Sequence, residues 1–324
     1  MAVPDHIRAP VARELKAFEP YFKRSFTSDV PLLGPVLKYI YRTKGKQIRP
    51  LFVFLSARMH GETNDHSLLA ACSIELMHTA TLIHDDVVDE SYERRGFFSV
   101  KALWRNKMAV LVGDYILARG LLLTLENKCY RFLHLISKAV DEMSEGEILQ
   151  MKKSRRLDID EKTYFEIIQK KTASLIATSM AMGTASVTDD DALVKKMYRI
   201  GQDAGMAFQI KDDIFDYQEK GIIGKPTGND IKEKKITLPL LYVLDHSGPA
   251  EKRRILRLVK RKNNKTAKVR ELVQIVAERG GIEYAARKME EYKNKAVSEL
   301  LKFPESEARE SLIALLHYIT TRIH

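Results

Sequence analysis

Thiol chemistry is nearly absent from this sequence: its 324 residues carry two cysteines, Cys72 and Cys129, with no Cys-x-x-Cys spacing. That excludes a disulfide framework and a thiolate metal site, and both side chains are expected in helices as small apolar residues. No G-x-G-x-x-G or G-K-[ST] run occurs, which argues against dinucleotide-fold and P-loop chemistry. No stretch sustains period-two alternation rich in Val, Ile and Thr, so strands are not expected. The first twenty residues carry charges throughout, unlike a signal peptide. No run approaches the roughly 18 apolar residues of a membrane span. A soluble cytoplasmic protein is the expectation.

What is present is apolar content of 45% and a formal net charge of +11. The charge favours anionic partners: phosphorylated metabolites, nucleic acid or a lipid surface. The basic stretch 251–270 lacks interleaved aromatics, so no nucleic acid is expected. It reads first as a solvated helix face, and more sharply as a weak peripheral contact with anionic lipid. Apolar positions recur at helical spacing over 11–26, 29–42, 65–91 (with Asp65 as N-cap), 99–125, 129–151, 160–183, 281–302 and 305–322. The reading is all-α, with residues 1–324 forming one helical domain.

Glu75 to Gly96 carries the densest chemistry. Asp85, Asp86 and Asp89 stand at i, i+1 and i+4 in an apolar run without Gly or Pro. Asp85 and Asp89 then share a helix face with Asp86 beside them, and bare like charges at that spacing repel. A divalent cation relieves the repulsion, and Mg²⁺ accepts one or two carboxylates while keeping waters and substrate phosphates. Arg94 and Arg95 follow as forks suited to phosphate oxygens. One such cluster is commonly solvated helix surface. A second triad at Asp212, Asp213 and Asp216 shifts the balance towards a site shared by two facing helices.

Other candidates are weaker. Lys46 and Arg49 flank the start of a helix, a place that attracts anions. His78 lies seven residues before Asp85 on nearly the same face, which favours substrate contact over simple packing. Asp114 reads as a buried, hydrogen-bonded packing residue. Asp189, Asp190 and Asp191 read as helix-capping residues, and Gly201 and Gly205 as points of close helix packing. Gly and Pro punctuation in 220–239 marks a loop, with Asp230 to Lys235 opening the next helix.

Taken together, GKQIRP from Gly45, IELMHTATLIHDDVVDESYERRG, Lys171–Thr172, FQIKDDIFDY and GKPTGNDIKEKKITLP resemble the trans-prenyltransferases, or polyprenyl diphosphate synthases. The resemblance spans residues 45 to 239 in the family's order. It implies an isoprenoid synthase fold, helices around a central cavity, and a homodimer. It implies Mg²⁺ held by Asp85, Asp86, Asp89, Asp212, Asp213 and Asp216. The allylic diphosphate would be bound by Arg94, Lys171, Gln209 and Lys225, and isopentenyl diphosphate by Lys46, Arg49, His78 and Arg95. Thr172 matches a position that steadies the allylic carbocation.

In this family the residues just before the first triad floor the product cavity. Here Ala80 and Thr81 are small, with Met77 and Ile74 one or two turns deeper as candidates to stop growth. The expected product is therefore long, roughly hexaprenyl to octaprenyl, for a quinone side chain. A farnesyl or geranylgeranyl diphosphate synthase is the alternative. A non-catalytic partner subunit typically loses an aspartate motif, and both are intact here.

Overall fold

Asn64 opens the central helix. Its side-chain oxygen accepts from the His66 and Ser67 amides (2.9 and 3.1 Å), and the Ser67 hydroxyl accepts from the Asn64 amide in return. This capping box satisfies N–H groups that have no intrahelical partner. The cap is Asn64 rather than Asp65, because Asn64 holds the extended backbone a cap needs while Asp65 is already helical.

The computed structural model describes residues 3–94, 96–217, 235–260 and 266–321. In chain order, α1 (Asp5–Arg8) and a 3-10 turn lead to α2 (Ala12–Arg24), α3 (Leu33–Arg42), α4 (Ile48–His60) and the central helix α5 (Asp65–Val88). A hairpin of β1 (Glu93–Arg94) and β2 (Phe97–Phe98) precedes α6 (Val100–Glu126), α7 (Tyr130–Arg156) and α8 (Glu161–Ile168). A π-helical turn (Gln169–Ala173) joins α8 to α9 (Ser174–Ala185), followed by α10 (Asp191–Phe215). The C-terminal helices are α11 (Leu238–Asp245), α12 (Pro249–Lys260), α13 (Thr266–Glu278), α14 (Gly281–Leu300) and α15 (Glu307–Thr321). The only strands among the described residues are the two short ones of the hairpin, so the chain is all-α as its periodicity indicates.

Helices α5 and α9 are apolar around nearly their whole circumference, as expected of helices enclosed by others. α5 packs on α4, α6 and α9, and α9 on α4, α7 and α10. Hydroxyls buried in α9 are satisfied locally: Ser179 donates to the Leu175 carbonyl and Thr184 to that of Met180. Two apolar cores result, and α10 enters both. Its Met197, Ile200 and Ala204 join the larger core with α5 and α9. Met206, Ile210 and Ile214 join a second core built from α8 and α11–α14. Close approaches fix this arrangement. A Cβ on Gly201 or Gly205 would stand 2.7 or 2.5 Å from the Cα of Ala177 or Ala173, as the sequence suggested for both glycines. Asp190 caps α10 through the Ala192 and Leu193 amides, and Asp191 pairs with Arg131 at 2.5 Å, so that acidic run is a cap.

Several expectations are corrected. Asp114 is exposed, not buried, and pairs with His84 Nε2 at 3.2 Å, because α6 turns that face outward. α6 is kinked at Arg105 (φ 68°, ψ 167°). By length and composition it is also the one helix among the described residues apolar enough to cross a membrane, although a third of its apolar window is buried in the fold. Its Leu103, Leu111, Leu122 and Leu125 are exposed. Cys72 is buried within α5, whereas Cys129 precedes α7 as its cap and is half-buried. In the basic stretch, Arg254 pairs with Glu271, and Glu251 holds Arg279, so part of its charge is used internally. Residues 261–265 lie outside the described set.

A Cβ on Gly183 would fall well inside contact distance of the Val53 carbonyl oxygen, where α9 crosses α4. Gly183→Ala should therefore lower the unfolding free energy by about 1–3 kcal/mol. An unchanged denaturation midpoint would show that α9 and α4 can part at no cost.

Candidate active site

Both aspartate triads close a helix. Asp89 is the C-cap of α5 and Asp216 the C-cap of α10. The negative poles of two helices and their carboxylates thus gather at one place. Between them lies a cavity of about 280 Å³ lined by Asp85, Asp89, Asp212 and Asp213, with Arg94, Lys153, Lys171 and Lys235 as its cations. The two motifs, 127 residues apart at Asp85 and Asp212, meet across one space.

The middle aspartate of each triad is committed elsewhere. Asp86 is buried and accepts from Arg94 Nε at 2.7 Å. Asp213 is buried and accepts from the Tyr164 hydroxyl at 2.6 Å and Gln209 Nε2 at 2.8 Å. Both middle aspartates are thus held by neighbouring side chains, so the six carboxylates are not equivalent as the bare motif implies. Burial pushes the Asp85 carboxyl up to about 6, partly offset by Lys171, with Glu147 adding to the rise. Burial also raises Asp86 against the pull of Arg94. Asp213 is raised by burial and by the charges of Asp212 and Asp216, against its two hydrogen bonds.

The cationic side is equally built. Lys171 pairs with Glu147 and donates to Gln150 at 2.8 Å, and Thr172 donates to Gln209 Oε1 at 2.7 Å. Lys235 stands 3.7 Å from Asp89; it lies in the segment before α11 rather than in a helix, and Asp230 to Lys234 lie outside the described residues. Gln47, in the left-handed region (φ 52°, ψ 42°), turns the chain into α4 between Lys46 and Arg49. Arg49 Nη1 lies 2.8 Å from His78 Nε2. A guanidinium can only donate, so that imidazole nitrogen carries the lone pair. His78 and Arg94 also line a smaller cavity with Lys44, Glu75 and Asp86. Arg95 and Lys225 lie outside the described residues.

A larger cavity of about 630 Å³ continues from Asp85, Lys171 and Asp212 into an apolar wall. Ala80 and Thr81 are on it, as the sequence places them. Met77 and Ile74 do not line it; they are buried in the main core one and two turns deeper on α5. Leu117 of α6 and Val140 and Met143 of α7 also line the cavity, a cross-helix contribution that no spacing within α5 reveals. Tyr164 was also missed, because a tyrosine on an amphipathic helix reads as core and no nearby motif marks it.

Among the described residues no three His, Cys, Asp or Glu side chains are grouped tightly enough to hold a metal unaided. Buried carboxylates with raised pKa, divided between two walls, nonetheless suit a hard cation that takes few protein oxygens and completes its shell with phosphate.

These features define an all-α fold with an aspartate-walled, cation-rimmed cavity suited in charge to a cation and an anionic ligand. Comparison with known proteins agrees. The polyprenyl synthetase family model matches residues 30–276. The octaprenyl diphosphate synthase of Escherichia coli (strain K12) is 36% identical over 98% of both chains. Heptaprenyl diphosphate synthase component 2 of Geobacillus stearothermophilus is 34% identical over 95% of this chain and 96% of its own. Among solved structures, the Caulobacter crescentus polyprenyl synthase complexed with calcium and isoprenyl diphosphate superposes with a TM-score of 0.92 at 33% identity, covering 99% and 98% of the two chains. A geranylgeranyl pyrophosphate synthase from Bacteroides thetaiotaomicron gives 0.84 at 36% identity, covering 98% of each. The chain belongs to the polyprenyl synthetase family, and it is a prenyltransferase of the isoprenoid synthase fold.

The raised Asp85 pKa gives a signed expectation. Protonation favours the folded state, so this carboxyl's contribution is full below its unfolded pKa and is lost as pH rises through about 6. A divalent cation must displace that proton. Mg²⁺ should therefore raise the melting temperature more at pH 7.5 than at pH 5.5; equal shifts at both would remove Asp85 from the cation site.

Proposed function

We propose that the protein elongates an allylic diphosphate, farnesyl or geranylgeranyl, with isopentenyl diphosphate to a long all-trans polyprenyl diphosphate for a quinone side chain. The observation that carries this reading is the apolar cavity running from Asp85 past the small Ala80 and Thr81 to Leu117, Val140 and Met143. A chain growing from a diphosphate held at the aspartates enters it directly.

Asp85, Asp86, Asp89, Asp212, Asp213 and Asp216 would hold Mg²⁺, with Asp85, Asp89, Asp212 and Asp213 on the wall of the shared cavity. When bound, that ion offsets the charge developing on the departing diphosphate. Arg94 and Lys171 place fixed positive charge on the same leaving group and orient it, with Gln209 held beside them. Lys46, Arg49 and His78, with Arg95, would bind the diphosphate of isopentenyl diphosphate and turn its double bond towards the allylic carbon. As the carbon–oxygen bond breaks, that double bond supplies the electrons of the new carbon–carbon bond, and a proton then leaves for the diphosphate. Thr172 would steady the allylic cation through its hydroxyl oxygen, and the apolar wall would keep water from quenching it.

We also read the protein as a cytoplasmic homodimer, the exposed Leu103, Leu111, Leu122 and Leu125 of α6 being the surface that a second copy would cover. Weak peripheral contact with membrane through the basic 251–270 stretch fits a lipid product. One observation favours a second reading: a relative at 34% identity is named as one component of a synthase, so a partner chain could be needed for turnover.

Purified protein given Mg²⁺, farnesyl diphosphate and excess isopentenyl diphosphate should yield a ladder ending at a defined long product by mass spectrometry. Arrest at geranylgeranyl would reject the long-chain reading, and no elongation would support the two-component one. Ala80→Phe should shorten the product by several isoprene units; an unchanged distribution would take Ala80 off the cavity wall.

A further inference from the structure

Lys171 and Thr172 are consecutive, yet both line the cavity and engage different neighbours: Lys171 meets Glu147 and Gln150 of α7, and Thr172 meets Gln209 of α10. On a regular α-helix successive side chains diverge by about 100°, which makes it hard for two in a row to serve one cavity. The segment that carries them is not α-helical. Gln169–Ala173 is a π turn set between α8 and α9, a wider, locally bulged form that is frequent at functional sites.

A wider turn needs space, and the helices on either side supply it through absent side chains. On α7, a Cβ at Gly146 would stand 2.9 Å from the Lys171 amide nitrogen and 3.0 Å from Lys170 Cβ. On α10, a Cβ at Gly205 would stand 2.5 Å from Ala173 Cα. One glycine meets the middle of the turn and the other its end. Gly146 is also flanked by Glu145 and Glu147, which pair with Lys170 and Lys171 respectively. Three consecutive residues of α7 thus clasp the turn, with ion pairs on either side of the backbone approach.

The geometry points to Gly146 as a positioning residue: it seats the π turn against α7, and the π turn delivers Lys171 and Thr172 into the cavity together. The inference rests on the elongation reading, since it concerns how the allylic diphosphate is gripped. Lys46, Arg49 and His78 belong to α4, α5 and the turn before them, away from this clasp. The consequence is selective for one substrate.

The test is calorimetric binding of farnesyl diphosphate and of isopentenyl diphosphate, each with Mg²⁺, to wild-type protein and Gly146→Ala. The added methyl must push the Lys171 backbone by a few tenths of an ångström. Farnesyl diphosphate should bind about tenfold more weakly, a small misplacement being enough for that. Isopentenyl diphosphate should bind as in the wild type. Equal weakening of both ligands, or none of either, overturns the proposal. Should Gly146→Ala not fold, deletion of Lys170 supplies the second variant, because removing one residue returns a π turn to the α period. That deletion should stay folded and weaken farnesyl diphosphate alone, while Lys170→Ala, which removes only the exposed pairs with Glu145 and Glu166, binds both ligands normally. A deletion variant with wild-type farnesyl diphosphate affinity overturns the proposal. Binding is read without turnover, so a wild-type protein that binds but does not elongate contradicts the function above and leaves this result separate.

Discussion

Confronting negative charge is the constraint from which the site follows. Two helices end at aspartates, their dipoles adding to carboxylates that the fold partly removes from water. Asp85 and Asp213 respond by holding protons more tightly. Such an arrangement costs stability in the empty protein and is relieved by cations. The protein meets part of the need itself, with Arg94 on Asp86 and Lys235 near Asp89. The remainder is left for a metal and, beside Lys171 and Lys153 on the cavity wall, for a diphosphate.

The rest of the architecture serves to hold those two helix ends in place. α10 spans both apolar cores, so its C-terminus is fixed from two sides. α5 is enclosed by α4, α6 and α9 and cannot rotate its aspartates out of the cavity without breaking that packing. Each triad is further pinned through its middle residue, by a guanidinium at Asp86 and by a phenol and an amide at Asp213. The anchoring groups differ, but on both walls the middle carboxylate is held by a side chain from another element.

Much of this was legible in the sequence because the information is local. Aspartates at i and i+4 share a helix face whatever surrounds them, and small residues such as Ala80 and Gly205 announce open space or close contact. What was not legible depends on pairing between distant segments. Asp114 looked buried because its neighbours are apolar, but the face it occupies is outward and its partner His84 lies thirty residues earlier. Met77 and Ile74 are correctly spaced for a cavity floor, yet they are packed in the main core, and the cavity is lined by Leu117, Val140 and Met143 from other helices. Tyr164 and the π turn carry no residue pattern at all. Asn64 and Asp65 are both good caps by type, and the extended backbone of Asn64 with its reciprocal bond to Ser67 decides between them.

The central claim is that the two walls act on one shared cation–diphosphate assembly. A double-mutant cycle of Asp85→Asn and Asp212→Asn, read as the affinity for inorganic diphosphate in the presence of Mg²⁺, tests it most directly. Shared ions predict strong non-additivity, with the second substitution costing little once the first is made and a coupling energy above about 1 kcal/mol. Costs that simply add, to within about 0.5 kcal/mol, would mean that the two aspartate motifs work independently and would contradict the account.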